Sequence, residues 1–449
     1  MKTLWIPFVL CLVPASAWAQ SQTITTFPPN LVVPNYDSVP VGPFGGLEST
    51  AYIARVGDPS AAWFNPAGLA REIKAQISGS AGVYSRTAVA PQTLSNQGGS
   101  VQQLPNFVGF TFKLREGMTG GFALLANNAW NQQTDAELIT PVATGQERFA
   151  YSADSKFTRR VAAVSVGYHH KGGWRYGGGF GFSLTNLRLV QSASDRIGDA
   201  TGLETVLVTS RVSGTAFQLR GQGGVQYDTG EWRFGGAVRT PGVNLYRDGT
   251  ISLDGVLSPI TGSLGASLFD TDASFECHIP WEFQAGVGLV RERYALELDL
   301  QAYTGIAAYP LMASGQPFVV YVDTGAGTPP AVISQPFGGL ISESDSVFNV
   351  GVGGSFKVMK SRNLKIHGGV ASNGSPVGPA DEVFTRVGLL SWTIGASGSL
   401  GKFEFSVGFN RQTGTSDEIT VRNLLNGQVA RTRADVRING VVYHLAYQF

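Results

Sequence analysis

The final ten residues of the chain alternate between two kinds of side chain. One set of alternate positions is apolar and the other is mixed: Val441, Tyr443, Leu445, Tyr447 and Phe449 against Val442, His444, Ala446 and Gln448. A period of two is typical of a β-strand that separates two different environments. The aromatic residue at the end favours a strand that closes a barrel in a membrane, where aromatic side chains gather at the interfaces.

The same alternation recurs upstream. Two examples are Leu296, Leu298 and Leu300 against Glu297, Asp299 and Gln301, and Phe403, Phe405, Val407 and Phe409 against Glu404, Ser406, Gly408 and Asn410. A soluble barrel would turn its apolar face inward, whereas a membrane barrel turns it outward. Alternation alone fits both, so the choice depends on the connections and on the N-terminus.

Short and long connections between the predicted strands follow each other in turn. The short ones are Arg115 to Thr119, Lys171 to Gly173, Gly230-Glu231, Arg291 to Arg293, Met359 to Asn363 and Gly401-Lys402. The long ones are Val89 to Leu104, Asn131 to Lys156, Val190 to Glu204, Tyr246 to Thr271, Ile306 to Ser344, Asn373 to Thr385 and Thr413 to Arg431. Short periplasmic turns and long outer loops are typical of outer-membrane barrels, so we expect an all-β antiparallel transmembrane barrel of about fourteen strands.

The N-terminus has the pattern of a secretory signal peptide. A short positive start is followed by an apolar run from Leu4 to Pro14 and by the small-x-small sequence Ala17-Trp18-Ala19. We predict cleavage after Ala19. The mature chain would then keep one cysteine, Cys277, and form no intrachain disulfide. The expected location is the outer membrane of a Gram-negative type of cell.

Composition excludes several classes of function. After the signal no apolar run reaches the length of a membrane helix, and the net charge of +1 gives no basic footprint for nucleic acid. The chain has five histidines and no Gly-x-Ser-x-Gly motif, so we expect no enzyme. His169 and His170 point to opposite faces of a strand, so no metal site is predicted, and no cofactor is expected.

The mature chain divides into two parts. Residues 20–73 lack strand alternation and form a predicted tether and plug, in which Asp58 is expected to cap a short helix that begins at Pro59. Residues 74–449 form the predicted barrel. About fourteen strands enclose a bore too wide for side chains alone to fill, so this barrel needs the plug. The glycine run from Gly177 to Gly181 is interpreted as a strand that another backbone segment or the plug approaches closely.

One motif in the predicted plug carries a family resemblance. The segment Val56 to Leu69, which contains Asn65-Pro66-Ala67, resembles the hatch of the outer-membrane transporters of long-chain fatty acids and aromatic hydrocarbons. Pro280 to Phe283 and Arg239-Thr240-Pro241 are also similar to that family. The resemblance implies passive uptake of hydrophobic compounds, gated by Asn65, Pro66 and Ala67, with exit through a side opening of the barrel wall and without a cofactor.

Apolar residues in the fourth and fifth outer loops are the candidates for ligand capture. Ile260, Leu264 and Leu268 recur every four residues, which predicts a short amphipathic helix. The other candidates are Phe269, Leu311 and Phe318. The expected partners are hydrophobic small molecules or fatty acids, outer-membrane lipid and the barrel-assembly machinery, with no nucleic acid, and a monomer is expected.

Two alternatives remain open from the sequence. A polar lumen would also suit a diffusion porin for small polar solutes, and long loops would also suit a surface adhesin or receptor. Charged residues of both signs fall on the inward face, among them Arg220, Arg239, Glu282, Glu297 and His367. One of the basic residues could bind a ligand carboxylate, but we expect most to pair with acidic residues and with the plug.

Overall fold

The structure is a computed structural model. It describes residues 32–71, 75–89, 99–142, 145–199, 202–258, 263–323, 329, 331–337, 339–359, 363–422 and 429–449. The predicted signal peptide, residues 1–19, and the first part of the predicted tether lie outside this range. Among the described residues, no helix is both long and apolar enough to cross a membrane.

The described part of the chain is almost entirely β. Its strands are β1 (Gln76–Val89), β2 (Gly99–Arg115), β3 (Met118–Val142), β4 (Gly145–His169), β5 (Trp174–Asp199), β6 (Gly202–Thr229), β7 (Trp232–Arg239), β8 (Val243–Ser258), β9 (Ser263–Phe275), β10 (Glu282–Val290), β11 (Tyr294–Tyr303), β12 (Ile306–Ala313), β13 (Pro317–Asp323), β14 (Ala331–Pro336), β15 (Leu340–Ser344), β16 (Val347–Met359), β17 (Leu364–Asn373), β18 (Leu389–Leu400), β19 (Phe403–Arg422) and β20 (Val429–Gln448). The helical pieces are α1 (Ala61–Phe64) and two 3-10 segments, Pro66–Arg71 and Lys171–Gly173.

Fourteen of these strands close a barrel. β1 to β7 pair in sequence, β7 pairs with β10, β10 with β11, β11 with β16, and β16 to β20 pair in sequence until β20 meets β1. Every pair is antiparallel, and the six short turns lie where the sequence predicts them. The fourteen-stranded barrel is therefore confirmed.

The barrel is inverted relative to a soluble one. On β11 the outward residues Leu296, Leu298 and Leu300 are 38–51% exposed, while the inward Glu297 and Asp299 are at most 2% exposed. β20 repeats the arrangement, because Val441, Tyr443 and Leu445 are 43–57% exposed on its outward face. A continuous exposed apolar belt needs a non-aqueous neighbour, so this wall faces lipid.

The outer connections differ from their prediction as loops. β8, β9 and β12 to β15 form an extension of six strands joined to the barrel through β6 and β11, and the long upper ends of β3 to β6 continue into it. The predicted loops 131–156 and 190–204 are thus mostly hairpin strands. The reason is that above the membrane the outward positions become polar, which removes the apolar alternation while the backbone ladder continues.

A charge on the outward belt should destabilise the barrel. We expect Leu298→Arg to lower the free energy of unfolding by about 2–4 kcal/mol, because the guanidinium would enter the hydrocarbon layer. Thr209→Arg on the outward face of the extension is the matched control and should change the unfolding free energy by less than about 0.5 kcal/mol. Guanidinium titration of protein refolded into phospholipid vesicles measures the unfolding free energy of both variants. An equal decrease in the two variants would contradict the assignment of Leu298 to the lipid-facing surface.

Candidate functional site

The lumen is occupied by residues 32–71, called the plug from here on. Ile53, Trp63 and Leu69 are at most 2% exposed, and they pack with the inward residues Phe107 and Val161 of β2 and β4. The helix prediction needs a correction: α1 begins at Ala61 with Ser60 as its N-cap, because the Asp58 carboxylate accepts the Ser60 amide hydrogen at 2.8 Å in a turn before the helix. The boundary at residue 73 stays a prediction.

The Asn65-Pro66-Ala67 motif packs against glycines of β5 and β6, called the glycine bed from here on. The Asn65 side-chain amide donates to the carbonyl oxygens of Ile53 at 3.2 Å and Val225 at 3.1 Å, so it joins the plug to β6. A Cβ on Gly177 of β5 would lie 2.2 Å from the Pro66 carbonyl carbon, and one on Gly224 of β6 would lie 2.1 Å from Asn65 Oδ1. These positions admit only glycine while the plug stays in place, which confirms the close approach expected at Gly177.

A second joint connects two sequence features that the family resemblance singled out. Arg239 forms an ion pair with Glu282 on the neighbouring β10, donates to the carbonyl oxygen of Trp63 and lies 3.9 Å above the Trp63 ring. Arg220 adds a longer contact of 3.5 Å to Glu282. All of these side chains are buried, so Arg239 fixes the C-terminal end of α1 against the wall.

Two inward carboxylates on β11 bind the plug backbone. Asp299 accepts the amide hydrogens of Tyr52 at 2.7 Å and Ile53 at 3.0 Å. Glu297 accepts from the Ala54 amide at 2.6 Å and from Arg55 Nε at 2.6 Å. The expectation that lumen charges pair with each other and with the plug is therefore confirmed for these residues.

A third joint spans the plug and β17. Arg55 also pairs with Glu48 of the plug, and Nδ1 of His367 lies 2.7 Å from the other oxygen of that carboxylate. Nε2 of His367 lies 2.8 Å from the hydroxyl oxygen of Ser397 on β18. Burial raises the pKa of Glu48, but the charge of Arg55 and the His367 contact outweigh it and hold the pKa below its usual value. Glu48 is therefore a charged partner of this network.

The barrel wall has a discontinuity between β2 and β3. Their pairing ends at Phe107 and Leu125, although both strands continue upward and pair there with β1 and β4 instead. The plug bridges the two edges: the Asn106 side chain donates to the Pro40 carbonyl oxygen at 2.7 Å, and the Val39 amide donates to the Asn127 carbonyl oxygen at 3.3 Å. β3 also changes register between Ala126 and Asn128.

Above the plug, a buried guanidinium faces a small aromatic cavity. Arg159 is 5% exposed, and its hydrogen bonds go to the Thr185 hydroxyl at 3.3 Å and the Cys277 sulfur at 3.5 Å. Within the described residues no carboxylate forms an ion pair with it. Burial raises the pKa of the neighbouring Tyr36 to about 12, so this hydroxyl stays protonated and can donate.

The cavity is small and covered. Its lining includes the carboxyl groups of Glu343 and Asp381 as well as Arg159. The other lining residues are Pro34, Tyr36, Phe157, Cys277, His278, Tyr309, Ser342, Ser344, Pro376, Val377 and Phe384. Its volume of about 30 Å³ holds roughly one or two waters. An organic ligand can enter only if the covering side chains move.

Residues 374–388, between β17 and β18, form this cover. The Thr385 amide donates to the Val32 carbonyl oxygen at 2.8 Å, and the Asn35 side chain donates to the Val387 carbonyl oxygen at 2.9 Å. Phe384 packs edge-on against Phe157 with ring centres 5.4 Å apart. Burial raises the pKa of Asp381, while hydrogen bonds from Ser342 and the Phe384 amide oppose the shift. The cover is thus bonded to the start of the plug.

The predicted capture residues are partly brought together. Leu268 and Leu311 are buried in one apolar cluster above the plug, and Phe318 packs against that cluster. Phe269 faces outward and is 68% exposed. The predicted helix is wrong, because Leu264 and Leu268 lie on strand β9, where they pair with Leu257 and Leu253 of β8. Ile260 lies outside the described residues.

Sequence reasoning missed Arg159. It occupies an inward position of β4, two residues from Phe157 and Val161, so counting alternate positions along this strand would have placed it in the lumen. The plug residues that bridge β2 and β3 gave no sequence signal. Their backbone groups form the hydrogen bonds, and every residue type except proline supplies both a backbone donor and an acceptor.

A side chain on the glycine bed should displace the plug. We expect Gly177→Val to raise the single-channel conductance of the barrel in planar bilayers, because its Cβ and Pro66 cannot occupy the same space. Gly178→Val is the matched control: its Cβ would point outward, with the nearest atom 3.6 Å away. A Gly177→Val channel as silent as the control would show that the plug does not depend on this contact.

Comparisons with known proteins agree with the architecture. No family model matches the chain, and no curated protein sequence does. A Pseudomonas aeruginosa FadL homologue matches in structure with a TM-score of 0.57 at 13% identity, covering 93% of this chain and all of the other. The P. putida toluene transporter TodX matches with a TM-score of 0.57 at 11% identity, and the Ralstonia pickettii toluene transporter TbuX matches with a TM-score of 0.53 at 14% identity. Each of these two matches covers 91% of this chain and 98% of the other. The chain therefore has the barrel fold of the FadL homologue and of the toluene transporters TodX and TbuX.

Proposed function

We propose that this protein takes up hydrophobic compounds passively across the outer membrane. The observation that carries the proposal is the combination of a lipid-facing barrel with a plug bonded to its wall at separate joints. A permanently open pore would need no such plug. The solved structures with the same fold are described as toluene transporters and a FadL homologue, which favours a hydrophobic ligand.

Capture is proposed in the upper lumen. The apolar cluster around Leu268 and Leu311 would hold a hydrophobic body, and the Arg159 guanidinium would bind a carboxylate at its end. In the described part of the chain Arg159 forms no ion pair with a carboxylate, and a charged hydrogen-bond donor in that state is a strong site for an anionic oxygen. Since the cavity beside Arg159 is small, binding would require the cover, residues 374–388, to move.

Release is proposed through the side of the barrel. Among the described residues, the edges of β2 and β3 above Phe107 and Leu125 do not pair directly and are joined through plug residues. Withdrawal of Val39 and Pro40 would leave an opening between these strands. Because Asn35 connects the plug to the cover, capture above and opening at the side would be coupled.

Deleting the gating motif tests the proposed role of the plug. We expect loss of uptake of labelled toluene or oleate when residues Asn65 to Ala67 are removed, because the plug could no longer move as one unit between its bonded positions. Heat-modifiable migration on gels would verify that the barrel still folds and inserts. Unchanged uptake would contradict gating by this motif.

Replacing the lumenal arginine tests the ligand class. Arg159→Met should weaken binding of a fatty acid or aromatic carboxylate by roughly tenfold or more, because a charge-assisted hydrogen bond is lost. Binding of a neutral hydrocarbon of similar size should change little. Arg291→Met, at an exposed periplasmic turn, is the control.

Two results would contradict these assignments. Equal weakening for neutral and anionic ligands would show that Arg159 acts only through packing. Large steady ion currents through the wild-type barrel would instead favour the diffusion porin.

A further inference from the structure

We propose that the outer wall carries a binding site for the phosphate of an anionic lipid in the outer leaflet. The site is a cavity of about 350 Å³ on the outward surface of β4, β5, β6 and β8. Its lining holds three cations and several neutral donors, among them Lys156, Arg160, Arg188, Asn186 and Thr215, together with one carboxylate, Asp248. It lies on the opposite side of the wall from the lumen and does not depend on the transport proposal.

Strand register places these side chains on the outer face. β4 and β5 pair without a register shift, with Lys156 opposite Arg188 and Arg160 opposite Leu184. Phe157 follows Lys156 on β4 and Leu187 precedes Arg188 on β5. Both of these neighbours point into the lumen and are 2% exposed. Alternation then requires the even-numbered residues of both strands to face outward.

The cavity begins where the apolar belt ends. The row of outward residues at its lower edge contains Arg160 and three apolar or aromatic residues, Leu184, Phe217 and Tyr246, which are register partners on β4, β5, β6 and β8. Tyr176, at the lower end of the same face of β5, lies about 20 Å below Leu184 for a strand rise of about 3.4 Å and a tilt of about 40°. An apolar band is roughly 25 Å tall, so the cavity lies at the level of the outer headgroups.

The charges suit a phosphate. In the described part of the chain, Lys156 and Arg160 form no ion pair, and Arg188 has only a 3.5 Å contact with the exposed Asp154. Asp248 lines the far side of the cavity, on β8, away from the cations of β4. Lysine and arginine bind phosphate through charge-assisted hydrogen bonds, and such bonds strengthen where hydrocarbon excludes water.

The position selects a lipid as the source of the phosphate. Leu184 and Phe217 offer an apolar surface for an acyl chain beside Arg160 and four residues below the level of Lys156 and Arg188. A free phosphate would gain nothing from that surface and would compete with water and salt. We therefore assign the site to a phosphorylated glycolipid headgroup of the lipid A type.

Native mass spectrometry of the detergent-purified full chain tests the assignment. The probes are bis-phosphorylated lipid A, its dephosphorylated form, and inorganic phosphate as a competitor. Wild-type protein should bind the bis-phosphorylated lipid at least about tenfold more tightly than the dephosphorylated form. Lys156→Gln with Arg160→Gln should remove most of that difference.

The control variant removes two positive charges from the outward face of β20, by Arg433→Gln with Arg437→Gln, and should keep the difference. If both double variants lost the same share of the preference for the bis-phosphorylated lipid, general surface charge would explain the binding and the proposed site would be wrong. Complete displacement of the lipid by millimolar inorganic phosphate would overturn its assignment to a lipid. An unchanged preference in the Lys156 and Arg160 variant would overturn the role of these residues.

Discussion

A fourteen-stranded barrel encloses more space than its inward side chains can fill, and this constraint shapes the rest of the molecule. The space is filled by a plug whose backbone has little regular structure and whose amides and carbonyls need partners. The wall supplies them. Asp299 and Glu297 accept plug amide hydrogens, Arg239 donates to a plug carbonyl oxygen, and Asn106 donates to another. The inward charges of the barrel thus serve mainly to satisfy buried backbone.

The same constraint explains the glycines of the wall. Where the plug backbone meets a strand, as at Gly177 or Gly224, a Cβ would overlap plug atoms. The wall therefore contacts the plug in two ways. At some positions long charged side chains extend to the plug, and at others a glycine lets the plug backbone approach the strand. Together with the apolar packing of Ile53, Trp63 and Leu69 against Phe107 and Val161, they fix the plug in one position. The polar contacts of this interface can be exchanged for contacts with water one at a time.

Much of the fold could be predicted from the sequence, because strands such as β11 carry Leu296 and Leu298 against Glu297 and Asp299. The outer extension could not, since outward positions above the membrane are polar and the contrast disappears. The predicted helix failed for a related reason: Leu264 and Leu268 are four residues apart, a spacing that also puts both on one face of a strand. The bridging of β2 and β3 was beyond sequence reasoning, because backbone groups of Val39 and Pro40 perform it.

The neighbouring residues Arg159 and Arg160 show how strictly register determines chemistry in this wall. Both are guanidinium groups suited to anionic oxygen, yet one lies in the aromatic cavity of the lumen and the other at the level of the outer headgroups. A slip of one residue in β4 would exchange them and would also turn Phe157 and Val161 outward. The 24 paired positions of β3 and β4 and the uninterrupted ladder with β5 oppose such a slip. The long strands beyond the membrane therefore do more than support the outer surface, because they hold the two cationic sites in separate compartments.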